Sequence, residues 1–197
     1  MKRFLKEWGL FSLVVIFAIL SRLFIWSLVS VDGHSMDPTL YDKEQLVMLK
    51  VGDVKRFDIV VASETDDSGK EKLIVKRIIG LPGDTIHYEN DTLYVNGEQV
   101  PEPYLDEYKA AFAQDKLQAT YSYNKSFQER AQAAQAFTQD EHYNPTFTTQ
   151  VPDGQYYLLG DDRLVSLDSR NVGTFEKANI KGKIVFRLWP LNRIKSF

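Results

Sequence analysis

An apolar segment near the amino terminus constrains this chain more than any other feature. Two apolar runs, at residues 9–20 and 23–31, follow each other almost without interruption. A helix of about 20 apolar residues crosses the hydrocarbon core of a bilayer, which is about 30 Å thick. We therefore expect residues 8–30 to form a single transmembrane anchor.

The same segment also has features of a cleavable signal peptide, because a charged start followed by an apolar run is typical of both. Cleavage would need a small-x-small pair at its end, but Leu20, Val29 and Val31 occupy the positions where small side chains are required. Arg22 lies within the span. Inserting an arginine at the centre of the bilayer costs about 3 kcal/mol. The apolar neighbours outweigh this cost, so a retained anchor is favoured.

Charge on the two sides of the segment predicts its orientation. Lys2, Arg3 and Lys6 precede the apolar runs, and Asp32 and Asp37 follow them. Basic residues stay on the cytoplasmic side of a membrane. We expect a single-pass protein of the cell membrane, with residues 1–7 in the cytoplasm and residues 31–197 outside it.

Composition excludes several classes of function. The net charge of −3 leaves no basic surplus for neutralising nucleic-acid phosphates. The chain has no cysteine, which excludes disulfides, thiol nucleophiles and thiolate metal sites. His34, His87 and His142 are scattered without the spacing of a metal site. We expect no nucleic acid, no metal and no cofactor.

Beyond the apolar segment, short β-rich runs succeed one another. They lie at residues 45–51, 58–62, 72–79, 85–88, 92–95, 155–159 and 184–189. Asn96 and Gly97 stand between two such runs and suit a hairpin, because both tolerate a positive φ. Successive strands without helices between them favour antiparallel pairing. The sequence predicts a mainly β domain, either an antiparallel sandwich or an irregular barrel.

Residues 104–150 differ in composition from the strands on either side. They are rich in Ala, Gln, Tyr and charged residues, and their apolar residues fall on helical stripes. Ser126 and Glu129 have the spacing of a capping box at a helix start. We predict a short helical insertion with two amphipathic helices.

The first candidate for catalysis is Ser35, in the turn-rich segment that follows the apolar runs. It does not fit a nucleophile elbow, because Asp37 stands where that motif has glycine. It does not fit the S-x-x-K pattern of penicillin-recognising enzymes either, because Pro38 stands at the lysine position. By itself, Ser35 is better explained as a turn residue.

Two further segments carry charges in unusual surroundings. Lys76 lies inside an apolar run, where alternation places it and Arg77 on opposite faces of a strand. An edge lysine that discourages aggregation would look the same. Residues 160–170 contain three aspartates and two arginines, which suits either a structured loop held by ion pairs or a solvated turn.

Taken together and in order, the three segments resemble the bacterial type I signal peptidase family. The motifs are Ser-Met-x-Pro-Thr-Leu at residues 35–40, Lys-Arg-Ile-Ile-Gly-Leu-Pro-Gly-Asp at 76–84, and Gly-Asp-x-Arg-x-x-Ser-x-Asp-Ser-Arg at 160–170. The single anchor and short insertion are similar to Gram-positive members. The resemblance implies a membrane-bound serine endopeptidase whose partners are the lipid bilayer and the signal peptides of exported preproteins.

The resemblance also implies roles for individual residues. Ser35 would be the nucleophile, Lys76 the general base, and Ser166 would hydrogen-bond the lysine amine. Asp161, Asp168 and Arg170 would shape the site by ion pairing. The substrate's small side chains at −1 and −3 require shallow apolar pockets. Our candidates for lining them are Val31, Met36, Leu40 and Val75.

Two positions depart from the family pattern. Gly33 stands where some members have a serine that helps hold the oxyanion, so the backbone N–H groups of Ser35 and Gly33 are the remaining candidates. Asp162 stands where many members have asparagine, which adds a negative charge near the site. His34 adjoins Ser35, and we expect it to be a loop residue rather than a base.

Two other functions remain open at this point. A self-cleaving repressor also uses a serine–lysine pair on a similar β fold, but it would need a DNA-binding helix-turn-helix and no transmembrane run. A membrane-tethered, non-catalytic binding module would carry the same fold with an inert serine and lysine. A cleavage assay separates the binding module from an enzyme.

Overall fold

The computed structural model describes residues 2–65 and 69–197, with side chains from residue 8 onward. The chain begins with helix α1 (Lys2–Phe24) and then enters strand β1 (Trp26–Ser30). No helix is both long and apolar enough to cross a membrane over the part of the chain that the structure describes. Met1 and the side chains of Lys2, Arg3 and Lys6, which predict the orientation, lie outside that part.

The end of α1 differs from the predicted end of the anchor. The helix stops at Phe24, whereas residues 25–30 were predicted to continue it. Strand β1 instead pairs antiparallel with β2 (Gln45–Leu49), from Trp26 opposite Leu49 to Ser30 opposite Gln45. A short apolar run is compatible with a helix or a strand. Residues 26–30 form a strand here because they pair with β2.

The larger of the two sheets contains Lys76 and Arg77. Its further strands are β3 (Ile59–Thr65), β4 (Glu71–Gly80), β9 (Gln155–Leu159), β10 (Phe175–Glu176), β11 (Ile180–Trp189) and β12 (Lys195–Ser196). They follow the order β1-β2-β11-β3-β4-β9-β10, with β12 on β11. All of these pairs are antiparallel, so the prediction of a mainly β, antiparallel domain is confirmed.

A second, four-stranded sheet follows the order β7-β6-β5-β8. It consists of β5 (Thr85–Glu89), β6 (Thr92–Val95), β7 (Glu98–Val100) and β8 (Thr146–Gln150). The predicted hairpin is confirmed, because Val95 pairs with Glu98 across Asn96 and Gly97, which both have positive φ. Strand β8 was predicted to belong to the insertion, but it pairs with β5 along its whole length.

Two helices lie within the insertion, as predicted: α2 (Asp106–Asp115) and α3 (Lys125–Ala133). The cap of α3 is Asn124, whose side chain accepts hydrogen bonds from the N–H groups of Ser126 and Phe127. The predicted capping box therefore starts two residues too late. The helices form a small core of their own, which contains Leu105, Tyr108, Phe112, Leu117, Tyr121, Ala131, Ala134 and Phe137.

The insertion core also reaches the loop after β9, which carries the third motif. Leu164 and Val165 pack against it from that loop. The loop ends in the short helix α4 (Ser169–Val172), capped by Asp168. The insertion is therefore in contact with the segment that holds the candidate catalytic residues.

Candidate active site

Ser35 and Lys76 are 41 positions apart in sequence, and the fold brings their side chains together. The Lys76 Nζ atom lies 2.8 Å from Ser35 Oγ, within hydrogen-bond distance. Lys76 sits in β4, opposite Val60 of β3, and Ser35 sits in the turn that follows β1. Strand β4 thus holds the amine beside the serine hydroxyl, and both residues line the same cleft.

The surroundings of Lys76 favour the neutral amine. The residue is 4% exposed, and burial lowers its pKa from 10.5 to about 8. The carboxylate of Asp168 acts in the opposite direction and limits the shift. At pH 8 about half of the molecules would offer a lone pair at this nitrogen, compared with less than 1% for a free lysine.

Ser166 lies close to this pair without bonding to the lysine. Its hydroxyl is buried and has no hydrogen-bond partner among the described residues, so the predicted bond to the Lys76 amine is not formed. The hydroxyl packs against Gly160, where a Cβ would collide with Ser166 and with the Ser35 carbonyl oxygen. Gly160 therefore lets the third motif approach the nucleophile turn closely.

A cleft of about 530 Å³ contains both Ser35 and Lys76 in its wall. Of the residues predicted to line substrate pockets, Val31, Met36 and Val75 do so. Leu40 does not, because its side chain is completely buried in the core beneath the cleft. The insertion contributes Phe127 to the wall, which nothing in the sequence had indicated.

The two candidates for binding an oxyanion differ in availability. The Gly33 N–H donates to Asp42 Oδ1 at 2.9 Å, so this donor is already used. The Ser35 N–H is left as the main-chain candidate. Gly33 itself has a φ of 92°, which allows the sharp turn that brings Ser35 into the cleft.

Comparison with known proteins identifies the family. The family model described as signal peptidase, peptidase S26, matches residues 5–189. The chain belongs to this signal peptidase family. A signal peptidase I of Streptococcus pneumoniae serotype 4 is 57% identical over 203 residues, which covers 100% of this chain and 98% of that relative. One of Bacillus caldolyticus is 40% identical, covering 95% of this chain and 92% of the relative.

A further relative agrees with this membership. A signal peptidase IB of Staphylococcus aureus is 37% identical and covers 99% of this chain and 95% of its own length. A crystal structure of a signal peptidase I from Enterococcus faecalis is 31% identical, covers 68% of this chain and 97% of its own, and has a TM-score of 0.46. The resemblance inferred from the ordered motifs is confirmed, and the chain is a peptidase of the signal peptidase I type.

In this signal peptidase, arginine–carboxylate pairs hold the segments around the serine. Arg77 donates to both carboxylate oxygens of Asp161, at 2.8 and 2.5 Å. Arg170 does the same with Asp168, at 2.8 Å each. Burial alone would raise the pKa of Asp168, but the charge and hydrogen bonds of Arg170 outweigh burial and hold that pKa below its usual range. The Asp168 carboxylate therefore stays ionised, and the two arginine–carboxylate pairs fix the loop.

A third pair was missed from sequence. Arg163 is completely buried and donates to Glu102 Oε1 at 2.5 Å and to the Tyr88 hydroxyl at 2.9 Å. It also donates to the Gly160 carbonyl at 3.0 Å. The third motif contains Arg163, but its partner Glu102 lies 61 positions away in sequence and belongs to none of the three motifs. This pair ties the loop to the second sheet.

His34, the residue next to Ser35, is not positioned to act as the general base for the Ser35 hydroxyl. His34 Nδ1 lies 3.1 Å from Asp37 Oδ2, and its ring centroid lies 5.0 Å from that of Tyr123. The imidazole is thus engaged with the insertion and with a carboxylate. This arrangement supports our expectation that His34 is a loop residue.

Proposed function

We propose that this type I signal peptidase cuts signal peptides from exported preproteins with Ser35 as nucleophile and Lys76 as general base. The 2.8 Å approach of the Lys76 amine to the Ser35 hydroxyl, inside a cleft, carries the proposal. Serine–lysine pairs perform the same chemistry as the serine–histidine pair of other proteases.

The steps follow from the positions of these atoms. Neutral Lys76 takes the proton of the Ser35 hydroxyl while Ser35 Oγ attacks the scissile carbonyl. The carbonyl oxygen gains negative charge, for which the Ser35 N–H is the proposed donor. Lys76 then gives its proton to the departing amine, and water hydrolyses the acyl-enzyme by the reverse use of the same groups.

The strands beside the cleft suggest how a substrate would bind. Residues from β1 and from the first half of β4 line the cleft. In the described residues β1 pairs only with β2, and β9 pairs with β4 only from Arg77 onward. Free strand edges accept an extended peptide as an added strand. We propose that the substrate binds in this extended form, with Val31, Met36 and Val75 lining its pockets.

We also propose that α1 anchors the protein in the membrane, with residues 31–197 outside the cell. The helix has 23 residues, which corresponds to a length of about 34 Å. Its apolar side chains are exposed on all sides, as expected of a helix surrounded by lipid. They include Leu10, Phe11, Leu13, Val14, Ile16, Phe17, Ile19, Leu23 and Phe24.

Substrate preference tests the proposed activity. Purified full-length protein in detergent is expected to cut a preprotein once, after a small-x-small site, and to accept Ala or Gly at −1. Leu or Phe at −1 should lower kcat/KM by about 100-fold or more, because a shallow pocket excludes them and displaces the scissile bond. Mass spectrometry of the products gives the cut site. Equal rates for all four residues would contradict the proposed signal-peptidase specificity, and no cutting at all would favour the binding module instead.

Protease accessibility tests the orientation. Protease added to intact cells is expected to digest the region after Ser30, because positive charge keeps the amino terminus inside. A tag at the amino terminus is the matched control and should survive until the cells are permeabilised. Protection of residues 31–197 in intact cells would mean that the proposed orientation is wrong.

A further inference from the structure

Two buried carboxylates near Ser35 lack the arginine partner that the others have. Among the described residues, seven carboxylate side chains are buried, and five of them pair with arginine. The two exceptions are Asp37, which contacts His34, and Asp162, which has no salt-bridge partner. A buried carboxylate without a cation is strongly destabilised in its ionised form.

Asp162 connects the insertion to the nucleophile turn. The Tyr121 hydroxyl donates to Asp162 Oδ1 at 2.6 Å, and the Asp162 N–H donates to the Ser35 carbonyl oxygen at 3.1 Å. Asp162 is 0% exposed, and its second oxygen, Oδ2, is buried without a hydrogen-bond partner. A proton on Oδ2 would remove the charge that this site does not compensate.

We propose that Asp162 is a positioning residue that works as a neutral carboxylic acid, linking Tyr121 to the backbone of Ser35, and that its ionisation slows cleavage. The proposal rests on the proposed role of Ser35 as nucleophile. An uncompensated charge on Asp162 would lie near the place where the substrate carbonyl becomes negative, and like charges there raise the barrier.

The surroundings of Asp162 support a proton at neutral pH. Burial raises its pKa to about 7, and the charge of Asp37 also raises it. Hydrogen bonds from the Tyr121 hydroxyl and from the N–H groups of Leu164 and Val165 lower the pKa but do not outweigh burial. Burial likewise raises the pKa of Asp37, to about 6, against the effect of His34. The titratable and charged groups that face these two carboxyls are His34, Tyr41, Glu44, Tyr108, Tyr121, Tyr123 and Arg193.

These values give the pH profile a definite shape. Activity should rise with pH as Lys76 loses its proton near pH 8 and fall as Asp162 loses its own from about pH 7 upward. The plot of kcat/KM against pH should therefore be bell-shaped, and the ionisation of Asp162 should cause the decrease on its alkaline side. Changes to the neighbours of Asp162 should move that side without moving the other.

Three variants test this assignment through kcat/KM from about pH 6 to about pH 10. Asp162→Asn keeps the shape without the charge, so the alkaline limb should disappear and activity near pH 9 should exceed that of the wild type by about 100-fold. Tyr121→Phe removes a bond that favours the ionised form and should move the limb to higher pH. Asp37→Asn removes a repelling charge and should move it to lower pH.

The exposed Asp153 supplies the matched control, because Asp153→Asn should leave the profile unchanged. Carbon-13 NMR of the Asp162 carboxyl in the full-length protein gives a reading independent of activity, with a midpoint well above that of an ordinary aspartate. A midpoint at the ordinary value, or an Asp162→Asn profile that keeps the wild-type alkaline limb, would overturn the proposal. If Ser35→Ala cleaves like the wild type, the proposed function itself fails, whereas failure of the Asp162 tests alone leaves it standing.

Discussion

Replacing Ser35 by alanine is expected to reduce cleavage of a preprotein by about 10⁴-fold or more. The variant loses the only atom that can form the acyl-enzyme in the proposed mechanism, and the Lys76 amine then has no hydroxyl at 2.8 Å to deprotonate. Single-turnover kinetics with a purified preprotein measure this loss. Thermal unfolding should stay cooperative, because removal of one partly exposed hydroxyl changes few contacts.

Two matched substitutions make this result specific. Ser122→Ala removes an exposed serine of the insertion and should leave the rate unchanged. His34→Ala should keep most of kcat, because the imidazole contacts Asp37 rather than acting as the base. Residual activity above a few per cent in Ser35→Ala, or complete loss in His34→Ala alone, would contradict the assignment of the nucleophile and its base.

Local sequence patterns predicted the strands better than they predicted where the helix ends. Residues 92–95 and 155–159 were predicted as strands and form β6 and β9 with the same bounds. β1 was assigned to the anchor because its apolar run continues that of the helix. Only pairing with β2, which is distant in sequence, distinguishes the two structures there.

The juxtaposition of Ser35 and Lys76 could not be derived from spacing alone. Alternation along β4 predicted that Lys76 and Arg77 point to opposite faces, and the structure places one at Ser35 and the other at Asp161. Which residue each would meet depends on strand pairing and on the turn after β1. The family resemblance supplied this partner, and the residues by themselves left a turn serine and an edge lysine open.

Buried polar partners were the least predictable part of the site. Glu102 meets Arg163 across 61 positions, and Tyr121 meets Asp162 across 41. No local period links such residues. The first pair joins the segment after β7 to the loop after β9, and the second pair joins the insertion to that loop. Sequence patterns indicate which segments are buried, whereas the tertiary fold decides which charges are compensated.

Replacing Lys76 by methionine is expected to reduce cleavage by about 1,000-fold or more without lowering stability at pH 7. Methionine keeps much of the apolar stem but has no amine to accept the Ser35 proton. The pKa of Lys76 is about 8 in the folded protein, compared with 10.5 for an ordinary lysine in the unfolded chain. Below pH 8 the buried amine is protonated, so the folded state carries the full free-energy cost of burying the ammonium. That penalty is roughly 3 kcal/mol and sets the scale of the expected gain in the variant.

The pH dependence of this gain identifies the amine as its cause. Between pH 8 and 10.5 the unfolded wild-type chain holds a proton that the folded chain has lost, so wild-type stability from this group improves as pH rises. The difference in melting temperature between Lys76→Met and the wild type should therefore shrink over that range. Lys177→Met, at an exposed lysine, is the matched control and should show neither effect. A Lys76→Met protein that is clearly less stable at pH 7, or that still cleaves preproteins, would contradict a buried neutral amine as the general base.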